Sequence, residues 1–244
     1  MSAPRTRLDQ ALVERGFFPT RAKAQAAVMA GLVLVDGKPA PKAGAPVGPD
    51  AELSLKSDPC PFVSRGGLKL AGALDAFGVD PKGRVCLDLG ASTGGFTDCL
   101  LQRGAALVHA VDVGTAQLAD KLRKDPRVVS RENTHARDLD PAWFDPKPSL
   151  CVADVSFISL TQVLPFVLPC LAPGAELLVM VKPQFEVGPK LAPKGVVKDP
   201  ATRALAVAKV REAALSLGLE PRGESVSVAP GPKGNVEIFL RLAL

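Results

Sequence analysis

The chain has 244 residues, of which 47% are hydrophobic and 23% charged, and this ordinary globular composition excludes extensive disorder and collagen-like repeats. It contains no run of about 18 apolar residues and no secretory-type apolar segment at its N-terminus, so we expect a cytoplasmic protein that does not cross a membrane. The five scattered cysteines form no CxxC pair, which argues against a metal site and a disulfide framework, and the net charge of +5 is compatible with a nucleic-acid partner.

Residues 1–57 are predicted to form a small α+β domain. A first helix ends at Gly16, since glycine is a common helix stop, and a second begins after the capping residue Thr20 and ends at Gly31. Alternating apolar residues and an Asp-Gly turn then indicate β-structure. The predicted pieces are a strand at 32–38, a loop at 39–49 and a strand at 52–56.

Basic residues outnumber acidic ones by five to two in residues 1–30. Such an excess is most often a solvated face, and only the helix-helix-hairpin context favours a nucleic-acid surface. Clustered Arg and Lys side chains neutralise phosphates and give salt-dependent binding with little sequence specificity. The candidates are Arg5, Arg7, Arg15, Arg21 and Lys23.

Three motifs in this region occur in a fixed order: R-L-D-x-x-L-V-x-x-G, T-R-x-x-A and G-x-V-x-V-D-G-K. Over roughly residues 5–56 the chain resembles the small RNA-binding domain first described in ribosomal protein S-four. The resemblance implies that the two helices present their basic residues to RNA phosphates. Residues 58–63, with two prolines, are predicted to be a semi-rigid linker to a second domain at 64–244.

From residue 64 onward, strand and helix patterns alternate. This alternation predicts a doubly wound, Rossmann-like α/β fold with a mostly parallel seven-stranded sheet, a last strand that enters antiparallel, and a ligand at the carboxyl ends of the strands. Strands are predicted at 84–89, 107–113, 128–132, 150–155, 175–182, 224–228 and 236–242, and helices at 95–103, 115–123, 160–171 and 201–217.

A glycine-rich loop, D-L-G-A-S-T-G-G-F-T, follows the first of these strands and opens a helix. Asp112 lies 22 residues after Gly90, a spacing that places a carboxylate over a ribose diol. A dinucleotide would need glycine where Ser92 stands, and its pyrophosphate would be poorly served by the nearby Asp88. The cationic S-adenosylmethionine (SAM) suits this acid, so a methyltransferase is favoured over a dehydrogenase. The candidate cofactor residues are Asp88, Gly90, Ser92, Thr93, Gly94, Gly95, Phe96, Asp112, Asn133 and Asp154.

Four charged residues are predicted to meet at the cofactor: Lys69, Asp154, Lys182 and Glu237. A ribose hydroxyl is a weak nucleophile and must lose its proton as it attacks a methyl group. A lysine is a base only when neutral, a state that burial or a neighbouring cation favours. Lys69 is expected to be that cation beside Lys182, while the two acids hold the ammonium groups. Arg65 is expected to meet RNA close by.

These four residues resemble the K-D-K-E tetrad of the FtsJ-like ribose 2′-O-methyltransferases. With the N-terminal domain, the whole chain resembles the TlyA family through S-R-G-G-x-K-L, D-V-S-F-I-S-L, V-K-P-Q-F-E and K-G-N-x-E. The resemblance implies SAM-dependent 2′-O-methylation of a cytidine in 23S rRNA of the large ribosomal subunit, in some members also in 16S rRNA of the small subunit, with an effect on capreomycin and viomycin sensitivity. The chain departs from some members in its linker, Cys-Pro-Phe-Val, and lacks long terminal extensions, which favours action on the large subunit alone.

Three other functions stay open. A base-amino methyltransferase would carry an Asn/Asp-Pro-Pro-aromatic turn after the fourth strand, where this chain has Asp-Val-Ser-Phe. A non-catalytic RNA-binding protein would not depend on Lys182. A membrane-lytic, haemolysin-like protein would need an amphipathic basic helix or an apolar span, and the sequence has neither. The sequence does not predict an oligomeric state.

Overall fold

The computed structural model describes residues 5–56 and 60–244, and these form two compact units. Part of the predicted linker at 58–63 and the last residue of the predicted N-terminal domain lie outside the described residues. No helix within the two described ranges is long and apolar enough to cross a membrane.

The described residues of the N-terminal unit, 5–56, form two short helices and five short strands. Thr20 caps the second helix as predicted, since its Oγ1 accepts a hydrogen bond from the Lys23 amide at 3.3 Å. The predicted loop at 39–49 is wrong in part, because two segments within it pair with other strands. The elements are β1 (Thr6–Arg7), α1 (Leu8–Glu14), α2 (Arg21–Met29), β2 (Val33–Val35), β3 (Lys38–Pro39), β4 (Pro46–Val47) and β5 (Leu53–Leu55).

Two small sheets and one apolar cluster hold this unit together. Antiparallel β3, β2 and β5 form one sheet, and antiparallel β1 and β4 form the other. Leu8 and Leu12 of α1 are fully buried against Val28 of α2 and Val33 of β2. The apolar faces of both helices therefore form the core of this unit.

The larger unit alternates strands and helices throughout. The elements are α3 (Gly66–Phe77), β6 (Val85–Leu89), α4 (Gly95–Gln102), β7 (Leu107–Val111), α5 (Asp120–Arg123), β8 (Val128–Arg131), β9 (Leu150–Ala153), α6 (Leu160–Val167), β10 (Glu176–Val181), α7 (Pro183–Glu186), α8 (Pro200–Ser216), β11 (Glu220–Val226) and β12 (Ile238–Ala243). Asp199 caps α8, with its carboxylate accepting from the amides of Ala201 and Thr202.

One seven-stranded sheet organises these elements, in the order β11-β12-β10-β9-β6-β7-β8. The strands β10, β9, β6, β7 and β8 pair in parallel, while β12 is antiparallel to both of its neighbours. The prediction of a doubly wound sheet with an antiparallel last strand is confirmed. The order reverses between β6 and β9, which opens a crevice at the carboxyl ends of those strands.

The sheet is buried on both faces. Along β10, Leu177 and Val179 face the apolar cluster that includes α6 and α8, while Leu178 and Met180 face the one that includes α3 and α4. This two-sided burial explains why these strands have continuous apolar sequences.

Several predicted elements of the larger unit have different bounds in the structure, and two of these differences have an identifiable cause. The helix expected at 115–123 is reduced to α5, because the carboxylate of Glu132 accepts from the amides of Ala116, Gln117 and Leu118 and so holds them in a loop. The strand expected at 224–228 is β11, which begins earlier. Its Pro221 and Gly223 discourage a strand assignment, but β11 is an edge strand with a register shift between these two residues.

Candidate active site

Two adjoining cavities lie at the carboxyl ends of the parallel strands. The smaller has a volume of about 440 Å³ and the larger about 620 Å³. Gly90, Ser92 and Asp154 line both, so the two cavities meet at the glycine loop between β6 and α4. This is the position at which doubly wound sheets bind their ligands.

The glycine loop has backbone geometry that side chains would disturb. Gly90 has a φ of 83°, and a Cβ added there would lie 2.7 Å from the carbonyl oxygen of Asp154. Asp112, directly after β7, accepts hydrogen bonds from the amides of Ser92 at 2.8 Å and Gly114 at 2.7 Å. The loop is thus fixed between the ends of β7 and β9 and leaves its backbone exposed to a ligand.

Most of the predicted cofactor residues lie on the cavity walls, and three do not. Gly94, with a φ of 94°, packs instead against the side chains of Leu118 and Leu122. Asn133 has a φ of 52° in a turn, and its neighbours Thr134 and His135 line the larger cavity in its place. Asp88, the third, is buried. Those that line a cavity are Gly90, Ser92, Thr93, Gly95, Phe96, Asp112 and Asp154.

Asp88 lies behind the glycine loop with no exposed surface. Its Oδ2 accepts a hydrogen bond from Thr97 Oγ1 at 2.6 Å, while its Oδ1 has no hydrogen-bond partner among the described residues. Burial is the main cause that raises the pKa of Asp88 to about 7, and the carboxylates of Asp154 and Asp112 add to it. The predicted contact of Asp88 with the cofactor stays a prediction.

The raised pKa of Asp88 makes stability depend on pH. Between about pH 4 and the folded-state pKa of about 7, the folded protein holds a proton that the unfolded chain has lost. The free energy of unfolding should therefore fall as pH rises through this range. Asp88→Asn keeps an oxygen for Thr97, and we expect it to be more stable than the wild type at high pH.

Urea unfolding of both proteins across this pH range measures the effect, with the exposed Glu212→Gln on α8 as control. An Asp88→Asn protein that retains the wild-type fall in stability would contradict this assignment.

The four predicted catalytic residues form two ion pairs at the same edge of the sheet. Lys69 of α3 donates from Nζ to Glu237 Oε2 at 2.5 Å. Lys182 Nζ lies 2.5 Å from Asp154 Oδ1. Asp154 directly follows β9 and Lys182 directly follows the neighbouring β10, while Glu237 directly precedes β12, whose first residue pairs with the last of β10. Sheet register therefore sets three of the four positions.

The two ion pairs differ in exposure. The Glu237 side chain is fully buried, and that of Lys69 is 11% exposed. The Asp154 side chain is 23% exposed and that of Lys182 is 9% exposed. Lys69 and Asp154 line the smaller cavity, with their partners behind them. Each cavity-facing charge is thus neutralised by a more buried one.

Sequence reasoning missed two residues that shape this site. Gly231 lines the smaller cavity, and a Cβ there would lie 2.1 Å from Glu237 Oε1. Ser156 Oγ accepts a hydrogen bond from Lys182 Nζ at 2.7 Å. Ser156 lies inside the motif D-V-S-F-I-S-L and Gly231 shortly before K-G-N-x-E, but only the strand register brings them to the charged pairs.

The predicted RNA-contacting residues differ in how free their side chains are. Arg65 is exposed and lines the smaller cavity. Arg7 and Arg21 both donate to the buried carboxylate of Asp9, although each keeps 53% of its side chain exposed. Arg15 donates to the carbonyl oxygens of Gly48, Pro49 and Ala51. Arg5 and Lys23 are exposed and make no ion pair within the described residues.

Asp9 also gives the N-terminal unit a pH-dependent stability. The guanidinium of Arg7 and the amide of Gln25 hold the pKa of this buried carboxyl well below its ordinary value. The resulting stability is present above the unfolded-state value of about 4 and is lost as pH falls below it. The protection factors of the α1 and α2 amides in the full chain, which correct for the intrinsic pH dependence of amide exchange, should therefore fall near pH 3 relative to neutral pH.

Asp9→Asn should weaken amide protection at neutral pH and flatten this dependence. The exposed Asp50→Asn of the same unit is the matched control. Equal protection in wild type and Asp9→Asn at neutral pH would show that this network does not support the unit.

Comparison with known proteins decides the family. Residues 62–244 match the model of the FtsJ-like methyltransferase, and residues 6–53 match the S4 domain. The 16S/23S rRNA (cytidine-2′-O)-methyltransferase TlyA of Mycobacterium tuberculosis is 49% identical over 98% of this chain and 90% of its own length. The chain belongs to the TlyA family.

Other relatives agree with this membership. The 23S rRNA (cytidine-2′-O)-methyltransferase TlyA of Campylobacter jejuni is 39% identical over 73% of this chain and 69% of its own length. A solved structure from Streptococcus thermophilus, described as a candidate hemolysin, is 40% identical, covers 99% of this chain and 89% of its own, and superposes with a TM-score of 0.77. A solved structure of a candidate SAM-dependent methyltransferase from Listeria monocytogenes is 13% identical and covers 73% of this chain and 97% of its own, with a TM-score of 0.52. It shares the fold of the larger unit in this TlyA-family chain.

Proposed function

We propose that this chain transfers a methyl group from SAM to the ribose 2′-hydroxyl of a cytidine in 23S rRNA, with 16S rRNA as a second substrate to be tested. The observation that carries the proposal is the pair of ion pairs, Lys69–Glu237 and Lys182–Asp154, beside a glycine loop at the carboxyl edge of the sheet. The relatives named for this reaction support the choice of substrate. We expect the reaction to take place in the cytoplasm and to alter capreomycin and viomycin sensitivity.

The residues around the two cavities fit SAM. The bare backbone at Gly90 gives a close approach, and Asp112 offers a carboxylate for the ribose hydroxyls. Asp154 places a negative charge where the cationic end of the cofactor would lie, and Asp88 lies behind the same loop. Bound SAM supplies an electrophilic methyl group on its sulfonium. Asn133 is proposed to contact the adenine through a shift of its turn.

The carboxylates that pair with the two lysines differ in their exposure. If Lys69 became neutral, the fully buried carboxylate of Glu237 would be left without a counter-charge, which is costly in a low-dielectric interior. Asp154 lines the cavity and is partly exposed, so its charge can be solvated when Lys182 is neutral. We therefore assign Lys182 as the general base and Lys69 as the permanent cation, with Glu237 and Asp154 holding the two side chains.

In this mechanism Lys182 Nζ would accept the proton of the 2′-hydroxyl, and the methyl group would pass to that oxygen as its bond to the sulfonium sulfur breaks and S-adenosylhomocysteine leaves. General base assistance of this kind contributes about 100- to 10,000-fold to a rate. Lys69 stabilises the negative charge that develops on the oxygen. The remaining requirement is alignment of oxygen, methyl carbon and sulfur, which the fixed glycine loop and the cavity walls supply.

RNA is proposed to be held mainly through its phosphates. Arg65 lies at the cavity wall and would contact RNA next to the target nucleotide. In the N-terminal unit, Arg5 and Lys23 are the side chains free to bind phosphates, while Arg7 and Arg21 can do so through their exposed portions. Arg15 has its donors engaged by backbone carbonyls and would contribute chiefly a positive potential.

Labelled SAM incubated with purified protein and with separate large and small ribosomal subunits from an unmodified strain tests the proposal. Transfer to the large subunit alone, or to both, supports it and identifies the substrate. A protein that binds SAM but transfers no label to either subunit or to naked rRNA would refute it and leave a non-catalytic RNA-binding role.

A further inference from the structure

The Nζ atom of Lys182 lies next to the carboxylate of Asp154 and the hydroxyl of Ser156, and of these two it forms a hydrogen bond with the hydroxyl. Its Nζ donates a hydrogen bond to Ser156 Oγ at 2.7 Å. Asp154 Oδ1 lies 2.5 Å from the same nitrogen but makes no hydrogen bond of acceptable angle. Asp154 therefore stabilises the positive charge of the ammonium group, whereas Ser156 fixes the orientation of that group through its hydrogen bond.

This difference matters when Lys182 becomes neutral. An ion pair loses its attraction once the ammonium gives up its proton, whereas an amine N–H can still donate to a hydroxyl oxygen. A neutral amine has two N–H bonds and one lone pair, so fixing one N–H restricts where the lone pair points. The serine is thus placed to orient the base in the protonation state that reacts.

We propose that Ser156 is a positioning residue that holds the Lys182 amine with its lone pair toward the substrate hydroxyl. The proposal rests on the function proposed above and assigns to that reaction a residue outside the four charged ones.

The loop that carries Ser156 is held at both ends. On one side, the Asp154 amide donates to the Leu89 carbonyl at 2.9 Å. On the other, the buried Glu186 accepts from the Ser159 hydroxyl and, at 2.9 Å, from the Leu160 amide. Ser156, although exposed, is therefore held in place by the contacts at the two ends of its loop rather than by its own burial.

Backbone strain in the same loop supports this view. Phe157, next to Ser156, has a φ of 64° and is 91% exposed. A phenylalanine rarely adopts this left-handed conformation, and it persists only where the surrounding structure imposes it. The constraint on the loop is therefore strong enough to hold the neighbouring serine at the lysine.

Single-turnover methyl transfer to ribosomal subunits at saturating SAM and RNA tests the role of Ser156. Ser156→Ala is expected to slow transfer by about tenfold, the effect of losing one hydrogen bond to a reacting group, with unchanged Kd values for SAM and for the subunit. Ser156→Thr keeps the hydroxyl, has room for its methyl group at this exposed position, and is expected to restore the rate.

Ser216→Ala is the matched control, because it removes an exposed hydroxyl that donates one 2.7 Å hydrogen bond at the end of α8. A Ser156→Ala rate equal to wild type, or a Ser156→Thr rate as low as that of alanine, would overturn the positioning role. Lys182→Ala in the same assay tests the general base separately from the role of Ser156. If wild type transfers no methyl group, the proposed function fails, whereas a fully active Lys182→Ala protein excludes only Lys182 as the base; the role of Ser156 fails in either case.

Discussion

Lys182→Ala is expected to reduce single-turnover methyl transfer by about 100- to 10,000-fold, because the 2′-hydroxyl loses the base that accepts its proton. Binding of SAM and RNA should change little. The carboxylate left behind, Asp154, is partly exposed to the cavity and can be solvated there, so the thermal midpoint should stay close to wild type. Transfer of labelled methyl groups to ribosomal subunits measures the rate.

The control for this variant is Lys147→Ala. Lys147 is an exposed lysine that donates to the Pro169 carbonyl oxygen at 2.8 Å and does not line either cavity. It should transfer methyl groups at the wild-type rate. A Lys182→Ala protein with more than about a tenth of wild-type activity would exclude Lys182 as the general base.

Gly90→Ala is expected to impair both cofactor binding and stability. The residue has a φ of 83°, where a side chain costs about 1–2 kcal/mol. Its Cβ would also lie 2.7 Å from the Asp154 carbonyl oxygen, so the loop and the end of β9 must separate, at a further cost of about 1–3 kcal/mol. We expect a loss of about 2–5 kcal/mol in the free energy of unfolding and SAM binding at least about tenfold weaker.

Gly83→Ala separates backbone strain from the clash. Gly83 has a φ of 70° between α3 and β6, and an added Cβ would meet no atom within 4 Å. It should lose only the strain of about 1–2 kcal/mol and bind SAM normally. Urea unfolding and calorimetric titration with SAM measure the two quantities. Equal SAM affinity in Gly90→Ala and Gly83→Ala would show that the loop at Gly90 does not contact the cofactor.

The strand and helix pattern of the larger unit follows directly from its sequence. Continuous apolar runs such as the one at β10 identify buried parallel strands, and each is followed by turn residues. The elements that sequence reasoning placed wrongly depend on distant partners. The carboxylate of Glu132 holds residues 116–118 out of a helix, and pairing with β12 extends β11 through Pro221 and Gly223. Neither interaction has a local sequence signal.

The sequence predicts which charged residues form the site, but it predicts less well which lysine pairs with which carboxylate. Strand ends place Asp154 and Lys182 side by side, and the sequence suffices for that. The hydrogen bond from Lys69 to Glu237 needs the antiparallel register of β10 and β12. Ser156 joins the site only because its loop turns sharply at Phe157. The left-handed backbone conformation of Phe157 is imposed by tertiary contacts, and the backbone preferences of phenylalanine would not predict it.

The roles of the N-terminal basic residues cannot be predicted from a count of charges. Charge counting treats Arg7, Arg15 and Arg21 alike, whereas the structure uses all three within the unit itself. Asp9, one of two acids counted against them, is the buried centre of that network. A count of charges indicates an excess but does not reveal which side chains remain free to bind phosphate.

Transfer of the methyl group to a ribose oxygen, rather than to a base, decides the proposed function. Large-subunit rRNA methylated by the purified protein should be digested to nucleosides for mass spectrometry and mapped by resistance to alkaline hydrolysis. We expect SAM-dependent 2′-O-methylcytidine at a single alkali-resistant position, absent with Lys182→Ala. A methyl group on a base, with no alkali-resistant position, would refute ribose methylation.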